Sequence, residues 1–169
     1  MASIFDTAKL GPLTLANRVI KSATFEGYSP GGVVTEDLVE FHRRVAAGGV
    51  GMSTVAYVAV APEGRTDSGC IVALPGAVAG LRRVTDAIHA EGAAAAAQIG
   101  HAGPVANAAS NKATAIAPGR FFNPLGMRRT RAATEYDIAK VTSDYARTAK
   151  LCVEAGFDSL EVHLGHNYL

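Results

Sequence analysis

The sequence predicts an α/β protein that forms the first half of a TIM (β/α)8 barrel, with about four parallel strands, three helices and an N-terminal hairpin. Helical segments alternate with strand-like runs in the order β-α-β-α-β-α-β, which is typical of a parallel sheet. In the last run Ser159, Glu161 and His163 face one way and Leu160 and Val162 face the other. A polar inner face fits a barrel with its chemistry at the carboxyl ends of the strands, because central strands of open sheets are apolar on both faces.

The first elements have clear local signals. A short hairpin is predicted at Leu10–Leu15, with Gly11-Pro12 as its turn. The first strand of the parallel sheet is predicted at Arg18–Thr24. The first helix is predicted to begin after Thr35, because threonine is a good N-cap and two acidic residues follow it in the first turn. The pair Gly48-Gly49 is expected to end this helix.

The rest of the chain follows the same alternation. The third helix is predicted to begin after Thr134, because Asp137 three residues later forms an aspartate version of the capping box. Segment 103–133 contains three prolines and little periodicity, which predicts a long loop that is either functional or mobile. The other predicted elements are the strands Val50–Val60, Ala93–Ile99 and Phe157–His163 and a second helix at Ala77–Glu91.

The composition is that of a folded domain with no strongly charged partner. Of its 169 residues, 49% are hydrophobic, and 16 basic residues balance 15 acidic ones, so neither nucleic acid nor a membrane surface is expected as a partner. No apolar run reaches the roughly 18 residues that indicate a membrane span. Two cysteines are too few for a disulfide framework, so a reduced, cytoplasmic location is expected and Cys70 is predicted to be a loop thiol.

Three side chains at the end of the last predicted strand are candidates for chemistry. His163, His166 and Tyr168 would converge at the mouth of a barrel, where they would hold a carbonyl oxygen and deliver a proton. One alternative is a structural core histidine followed by a loop. Another is a zinc or iron site, for which Glu161 or His101 would have to supply a further ligand.

One amide is a second candidate. Gln98 ends an apolar, alanine-rich strand, and a buried amide must find hydrogen-bond partners. It would either bond to the backbone or bind the edge of a flat heteroaromatic ring.

Five segments in this order resemble the N-terminal half of the old yellow enzyme family, which comprises flavin-dependent NAD(P)H oxidoreductases and ene-reductases. The resemblance covers essentially the whole chain. Its departures near the candidate residues are Phe25, which stands where many members carry threonine or cysteine near the flavin carbonyl, and Asn167, which stands where glycine is usual. The segments are Leu10-Gly-Pro-Leu-Thr-Leu-Ala-Asn-Arg18, Lys21-Ser-Ala-Thr24, Ala61-Pro-Glu-Gly-Arg65, Gln98-Ile-Gly-His-Ala-Gly103 and Ala155-Gly-Phe-Asp-Ser-Leu-Glu-Val-His163 with His166 and Tyr168.

The resemblance implies an enzyme that uses FMN, with NADH or NADPH as reductant and a small enone-type molecule as substrate. His163 and His166 match the pair that holds the substrate carbonyl, and Tyr168 matches the tyrosine that protonates the reduced alkene. Gln98 matches the glutamine that binds the flavin pyrimidine edge. The residues that the resemblance places at the flavin are Ser22, Ala23, Thr24, Ala56, Tyr57, Gln98 and His163.

Residues 1–169 are therefore expected to form one incomplete barrel domain. Four strands leave two open sheet edges and uncovered apolar surface, which a missing C-terminal half or a second copy of the chain would cover. Two other functions stay open at this point. The chain would be a non-catalytic half-barrel that assembles with a partner half, or a metal-dependent barrel hydrolase that uses the two histidines.

Overall fold

The computed structural model describes residues 3–124 and 127–169. Its strands and helices follow the predicted order from the hairpin to the last strand. The elements are β1 (Ala8–Leu10), β2 (Leu13–Leu15), β3 (Ile20–Lys21), α1 (Glu36–Ala47), β4 (Met52–Ala59), β5 (Ile71–Val72), α2 (Val78–Ala90), β6 (Ala94–Gly100), α3 (Ala108–Asn111), β7 (Ile116–Ala117), β8 (Phe122–Asn123), β9 (Arg128–Arg129), β10 (Arg131–Ala132), α4 (Glu135–Glu154) and β11 (Ser159–Val162).

The main sheet is parallel, as the sequence predicts. Its strands lie in the order β11-β6-β4-β3, and β5 pairs with the carboxyl end of β4. The chain returns to each new strand through a helix, so the carboxyl ends of all four strands meet at one edge. This edge carries the candidate site.

One layer of helices covers one face of this sheet. Leu38 of α1 and Leu81, Val84 and Ile88 of α2 are almost fully buried in one hydrophobic cluster, which also contains Cys152 of α4. The strand side chains in this cluster include Ala95, Ala97 and Ile99 of β6 and Val55 and Val58 of β4. The side chains of β6 therefore alternate between the two faces, and its odd-numbered residues face the helices.

The other face of the sheet carries small side chains and polar groups. Leu15 of the N-terminal hairpin packs on Met52 and Ala96, at the beginning and middle of their strands. Gln98 and Glu161 lie in register with each other on β6 and β11. The hairpin thus covers the amino-terminal end of this inner face, while its carboxyl end is polar.

The ladder between β4 and β6 contains a bulge. Val55 pairs with Ala97 and Val58 with Ile99, so Ala56 and Tyr57 together lie opposite the single residue between Ala97 and Ile99, which is Gln98. A bulge changes the direction in which side chains point and leaves a backbone amide without a ladder partner. This irregularity lies near the carboxyl edge of the sheet, which carries the candidate site.

The helix N-caps are confirmed. The hydroxyl of Thr35 accepts a hydrogen bond from the Leu38 amide, and Thr134 and Asp137 form the reciprocal capping box. Arg131 adds a two-pronged ion pair to Asp137 and, with the capping bonds from Thr134, holds the pKa of this carboxyl well below its ordinary range. The caps therefore fix where α1 and α4 begin.

Two sequence predictions are corrected. The first strand, predicted at Arg18–Thr24, shortens to β3, because Ser22 to Phe25 leave the sheet in extended coil. Segment 103–133 is not featureless, since it forms α3 and four two-residue strands. Cys70 lies in the loop before β5, as predicted, but only 1% of it is accessible, because it packs with Ala56 and Tyr57.

Within residues 3–124 and 127–169, both outer strands of the main sheet have one unpaired edge. Apolar side chains beside β11 are exposed, with Ile138 61%, Val162 50% and Leu164 79% accessible. These residues line a groove together with Val141 and Tyr145 of α4. The open edges and apolar surface expected of a half barrel are therefore present.

Across the same residues, no helix has the length and apolar character needed to span a bilayer.

Gly51 offers a test of the packing between β3 and β4. A Cβ at this position would lie 2.5 Å from the Asn17 carbonyl oxygen, and the Gly51 amide already donates to Val19 O at 2.8 Å. We expect Gly51→Ala to lower the free energy of unfolding by about 1–3 kcal/mol, because neither backbone segment can move aside freely. Urea denaturation measures this. Gly76→Ala is the control, since nothing lies within 4 Å of its added Cβ; equal stability of the two variants would contradict the prediction.

Candidate functional site

The carboxyl edge of the main sheet gathers most of the predicted site residues. Four segments meet there: the coil after β3, the bulge of β4, the end of β6 and the loop after β11. In parallel sheets this edge is where binding sites form, because the loops that follow the strands converge on it.

His163, His166 and Tyr168 form a compact ring cluster. His163 Nε2 and His166 Nδ1 are 3.0 Å apart and share one hydrogen bond. The Tyr168 ring stands edge-on to His163, with 4.5 Å between the ring centroids, and 6.0 Å from His166. The sequence prediction that these three side chains converge therefore agrees with the structure.

The backbone around the cluster has an unusual conformation. His166 and Asn167 both have positive φ, 56° and 60°. Asparagine and histidine tolerate the left-handed region better than most residues, so Asn167 can occupy a position where the family usually has glycine. The turn is closed by a bond from the Tyr168 amide to the Gly165 carbonyl, and the Leu169 amide donates to the carbonyl of His101. Such conformations in ordered loops are concentrated at functional sites.

A small apolar floor adjoins the rings. Ala23, after β3, and Tyr168 both pack against the buried cluster that contains Ala56 and Tyr57 of the β4 bulge. The Tyr57 ring lies 5.9 Å from the Tyr168 ring, and its hydroxyl donates to Gly64 O at 2.6 Å and accepts from the Thr66 amide. Tyr57 therefore connects the floor to the loop after β4.

Gln98 lies at the same edge and is tied to a carboxylate. Its Nε2 donates to Glu161 Oε1 at 2.6 Å. The side chain is partly exposed. Its amide is paired with a side chain of the neighbouring strand and not with the backbone. Ala56 and Tyr57 lie across the ladder from it.

Two predicted residues stand apart from these contacts. Ser22 and Thr24 are exposed, and the one hydrogen bond between them runs from the Thr24 hydroxyl to the Ser22 carbonyl. His101 is buried and accepts a hydrogen bond from the Gly103 amide through Nδ1. Within the described ranges, no three His, Cys, Asp or Glu side chains come together as a possible metal-binding group.

Sequence reasoning missed two features of the site. Gly100 lies between Tyr57 and His163, and a Cβ there would be 3.3 Å from each of these side chains. Glu161 was considered only as a possible metal ligand, although its register opposite Gln98 makes it the partner of that amide. Cross-strand register would have identified Glu161, but it is not encoded in the alternation of one strand.

The surroundings of His163 and Tyr168 shift the pKa values of both side chains. Burial, with the nearby His166, lowers the pKa of His163 below its ordinary value, and Glu161 opposes this shift. The imidazole is therefore neutral at pH 7 and offers one N–H. Burial raises the pKa of Tyr168, and the neighbouring Cys70 adds to the effect. The phenol therefore keeps its proton at neutral pH.

The sequence matches a known protein family and a known enzyme. Residues 3–169 match the model of the NADH:flavin oxidoreductase / NADH oxidase family. Over 167 residues the chain is 56% identical to the 4,4'-dithiodibutanoate disulfide reductase of Rhodococcus erythropolis; the match covers 99% of this chain and 41% of that protein. The chain thus spans less than half the length of this relative.

Two solved structures share the fold. The old yellow enzyme homologue from Zymomonas mobilis has a TM-score of 0.92 at 22% identity, covering 99% of this chain and 50% of that chain. Morphinone reductase in complex with tetrahydroNAD has a TM-score of 0.89 at 24% identity, covering 100% of this chain and 51% of that chain. These similarities confirm the predicted fold, part of a TIM barrel.

Proposed function

The chain belongs to the NADH:flavin oxidoreductase / NADH oxidase family, and from this premise we propose that it carries the substrate-binding and part of the flavin-binding site of an FMN-dependent NAD(P)H oxidoreductase. The proposed substrate is a small alkene conjugated to a carbonyl. The observation that carries the proposal is the His163–His166–Tyr168 cluster beside the small-residue floor at the carboxyl edge of the sheet. The relatives are about twice as long as this chain or longer. We propose that a segment corresponding to the rest of their length completes the flavin site.

The residues at this edge fit FMN. A flat ring needs a floor of small side chains, and Ala23 and Ala56 supply one. The edge of an isoalloxazine ring carries both donors and acceptors, and the amide of Gln98 offers both to a partner. When bound, FMN supplies the redox chemistry, because it accepts a hydride from NADH or NADPH and passes one to the substrate.

The chain's own residues bind the carbonyl and supply a proton. The hydrogen bond between His163 and His166 holds the two rings together, and a substrate carbonyl oxygen replaces it by accepting from both side chains. These donors stabilise the negative charge that develops on that oxygen during reduction. The Tyr168 phenol, packed edge-on against His163, donates the proton that the reduced alkene requires.

A second substrate class is favoured by one specific comparison. The relative with 56% identity is named for reduction of a disulfide, 4,4'-dithiodibutanoate. In that reaction a hydride and a proton cleave the S–S bond and give two thiols, while NAD(P)H is oxidised. The same side chains would serve it, with Tyr168 or a histidine protonating the departing sulfur.

The decisive experiment is an FMN titration of the protein that carries this chain. Absorbance and quenching of flavin fluorescence measure binding, and NADH or NADPH oxidation is then followed with 2-cyclohexenone or with 4,4'-dithiodibutanoate. We expect saturable FMN binding and faster NAD(P)H oxidation with the enone. Faster oxidation with the disulfide alone supports the second substrate class. Absence of FMN binding contradicts the proposed function and favours a non-catalytic half-barrel.

Gln98→Ala tests the amide at the flavin edge. Loss of one neutral hydrogen bond is expected to weaken FMN binding about 2- to 10-fold, or to shift the flavin reduction potential measurably. Titration of the purified variant, with a dye-linked potential measurement, checks this. Lys150→Ala, an exposed position on α4, is the control. Wild-type affinity, spectrum and potential in Gln98→Ala would remove this residue from the proposed flavin site.

A further inference from the structure

A buried ionic cluster lies directly behind the β4 bulge. Glu26 is its centre: this side chain is 4% exposed and forms an ion pair with Lys21 at the end of β3. His42 of α1 is fully buried, with Nε2 3.4 Å from Glu26 Oε1 and Nδ1 2.8 Å from Ser53 Oγ. Lys21 Nζ also donates to the Thr54 carbonyl at 2.8 Å. The carboxylate is thus paired with Lys21 and enclosed on its other side by the buried His42 ring.

The second oxygen of this carboxylate contacts the bulge itself. Glu26 Oε2 accepts a hydrogen bond from the Ala56 amide at 3.2 Å. Ala56 is in the two-residue step of β4 that lies opposite Gln98, where the regular ladder is interrupted. A buried amide without a ladder partner needs another acceptor, and here the acceptor comes from a residue 30 positions earlier in the chain.

We propose that Glu26 is a positioning residue, which holds the Ala56–Tyr57 bulge in the conformation that forms the floor of the active site. This inference rests on the proposed function. Glu26 touches neither the rings nor Gln98; it acts through Ala56 on the floor and through Tyr57 on Tyr168. Lys21 fixes the carboxylate and balances its charge, and the buried His42 ring packs beside it.

The physical reason for a carboxylate here is geometric. A bulge has no regular ladder to define its conformation, so the β4 segment needs an anchor outside the sheet. A charged acceptor forms a stronger bond to the amide than a neutral one. Lys21 compensates the buried charge, which would otherwise be costly. The cluster therefore sets the conformation of a catalytic surface that it does not enter.

Two double variants isolate the acceptor from the charge. Lys21→Met with Glu26→Gln removes both charges and keeps an oxygen able to accept from the Ala56 amide. Lys21→Met with Glu26→Leu removes both charges and the acceptor. Neither leaves a buried charge unpaired, and replacing a buried ion pair by groups of similar size is often tolerated, so both are expected to fold. Glu40→Gln on the exposed surface of α1 is the control.

The first readout is amide hydrogen exchange at Ala56. Exchange is expected to be about 10- to 100-fold faster in the leucine double variant than in the glutamine one, while Val58 and Val60 amides stay protected in both. The second readout is the Kd for FMN and the flavin absorption spectrum. We expect the glutamine variant to retain affinity within about threefold of wild type and the leucine variant to lose tenfold or more.

The outcomes separate this inference from the proposed function. Equal Ala56 exchange and equal FMN affinity in the two double variants overturn the positioning role. A parallel fall of melting temperature and affinity in both also overturns it, because Glu26 would then be only a stability element. If the wild-type protein binds no FMN, the proposed function fails, and Ala56 exchange still decides whether Glu26 holds the bulge.

Discussion

Replacing His163 by alanine is expected to slow alkene-dependent NAD(P)H oxidation by about 10²- to 10³-fold, the usual cost of removing one donor to a developing oxyanion. His163 faces His166 and Tyr168 at hydrogen-bond and ring-contact distances. Its pKa lies below the ordinary value, so a neutral ring donates one hydrogen bond rather than a full charge. Its removal therefore weakens binding of carbonyl ligands as well as the rate.

The same variant separates the two halves of the reaction. Oxidation of NAD(P)H by molecular oxygen needs no hydrogen bond to a substrate carbonyl. We therefore expect this oxidation to continue near the wild-type rate in His163→Ala. His166→Ala is expected to behave alike, because the pair acts on one oxygen. Steady-state rates with enone and with oxygen measure the ratio. A matched control is His89→Ala, since His89 is on α2 and pairs with Asp158, away from the site edge.

The result that contradicts this role is also specific. If His163→Ala lowers the enone rate and the oxygen rate by the same factor, the histidine supports the flavin site or the fold rather than the carbonyl. If neither rate changes, His163 takes no part in binding the carbonyl; its partial exposure already argues against the alternative of a structural core histidine. The substrate class is tested in the same assay, because no negative charge develops on a carbonyl oxygen when an S–S bond is reduced. Disulfide reduction is therefore expected to depend less on charge stabilisation by the pair.

The parts of the fold that local chemistry determines could be predicted from the sequence. Thr35 and Thr134 cap α1 and α4 as expected, because an N-cap depends on a few neighbouring residues. The two faces of β6 follow from alternation along one strand. The convergence of His163, His166 and Tyr168 also followed from their short spacing after a strand.

The parts that depend on contacts between distant segments could not be predicted. The bulge at Ala56–Tyr57 contains no glycine or other local signal. It exists because β4 has two residues, and β6 only one, between the same two paired positions. Its anchor, Glu26, lies 30 residues away from Ala56. The burial of Cys70 could not be predicted for the same reason, because it depends on packing against that bulge. Register and long-range packing, rather than propensity, decide these features.

Tyr168→Phe is expected to slow alkene reduction by about 10²- to 10⁴-fold, the range of a lost general acid, while NAD(P)H oxidation by oxygen is unchanged. The substitution removes only the hydroxyl, so the edge-on packing against His163 and the contact with Tyr57 persist. Tyr136→Phe is the control, because Tyr136 is 76% exposed on α4. An unchanged enone rate would identify water or another side chain as the proton donor.

The pH dependence of the wild type gives an independent check on the same residue. The protonated phenol is the active form, and burial raises the pKa of Tyr168 above its ordinary value of about 10. Activity that depends on this proton is therefore complete at neutral pH and is lost only as the pH rises through that higher pKa. We expect the wild-type enone rate to hold up to about pH 10 and the Tyr168→Phe rate to lack the alkaline decline. A decline centred near pH 8 that persists in Tyr168→Phe would assign the proton to a different group, because nothing at Tyr168 lowers its pKa that far.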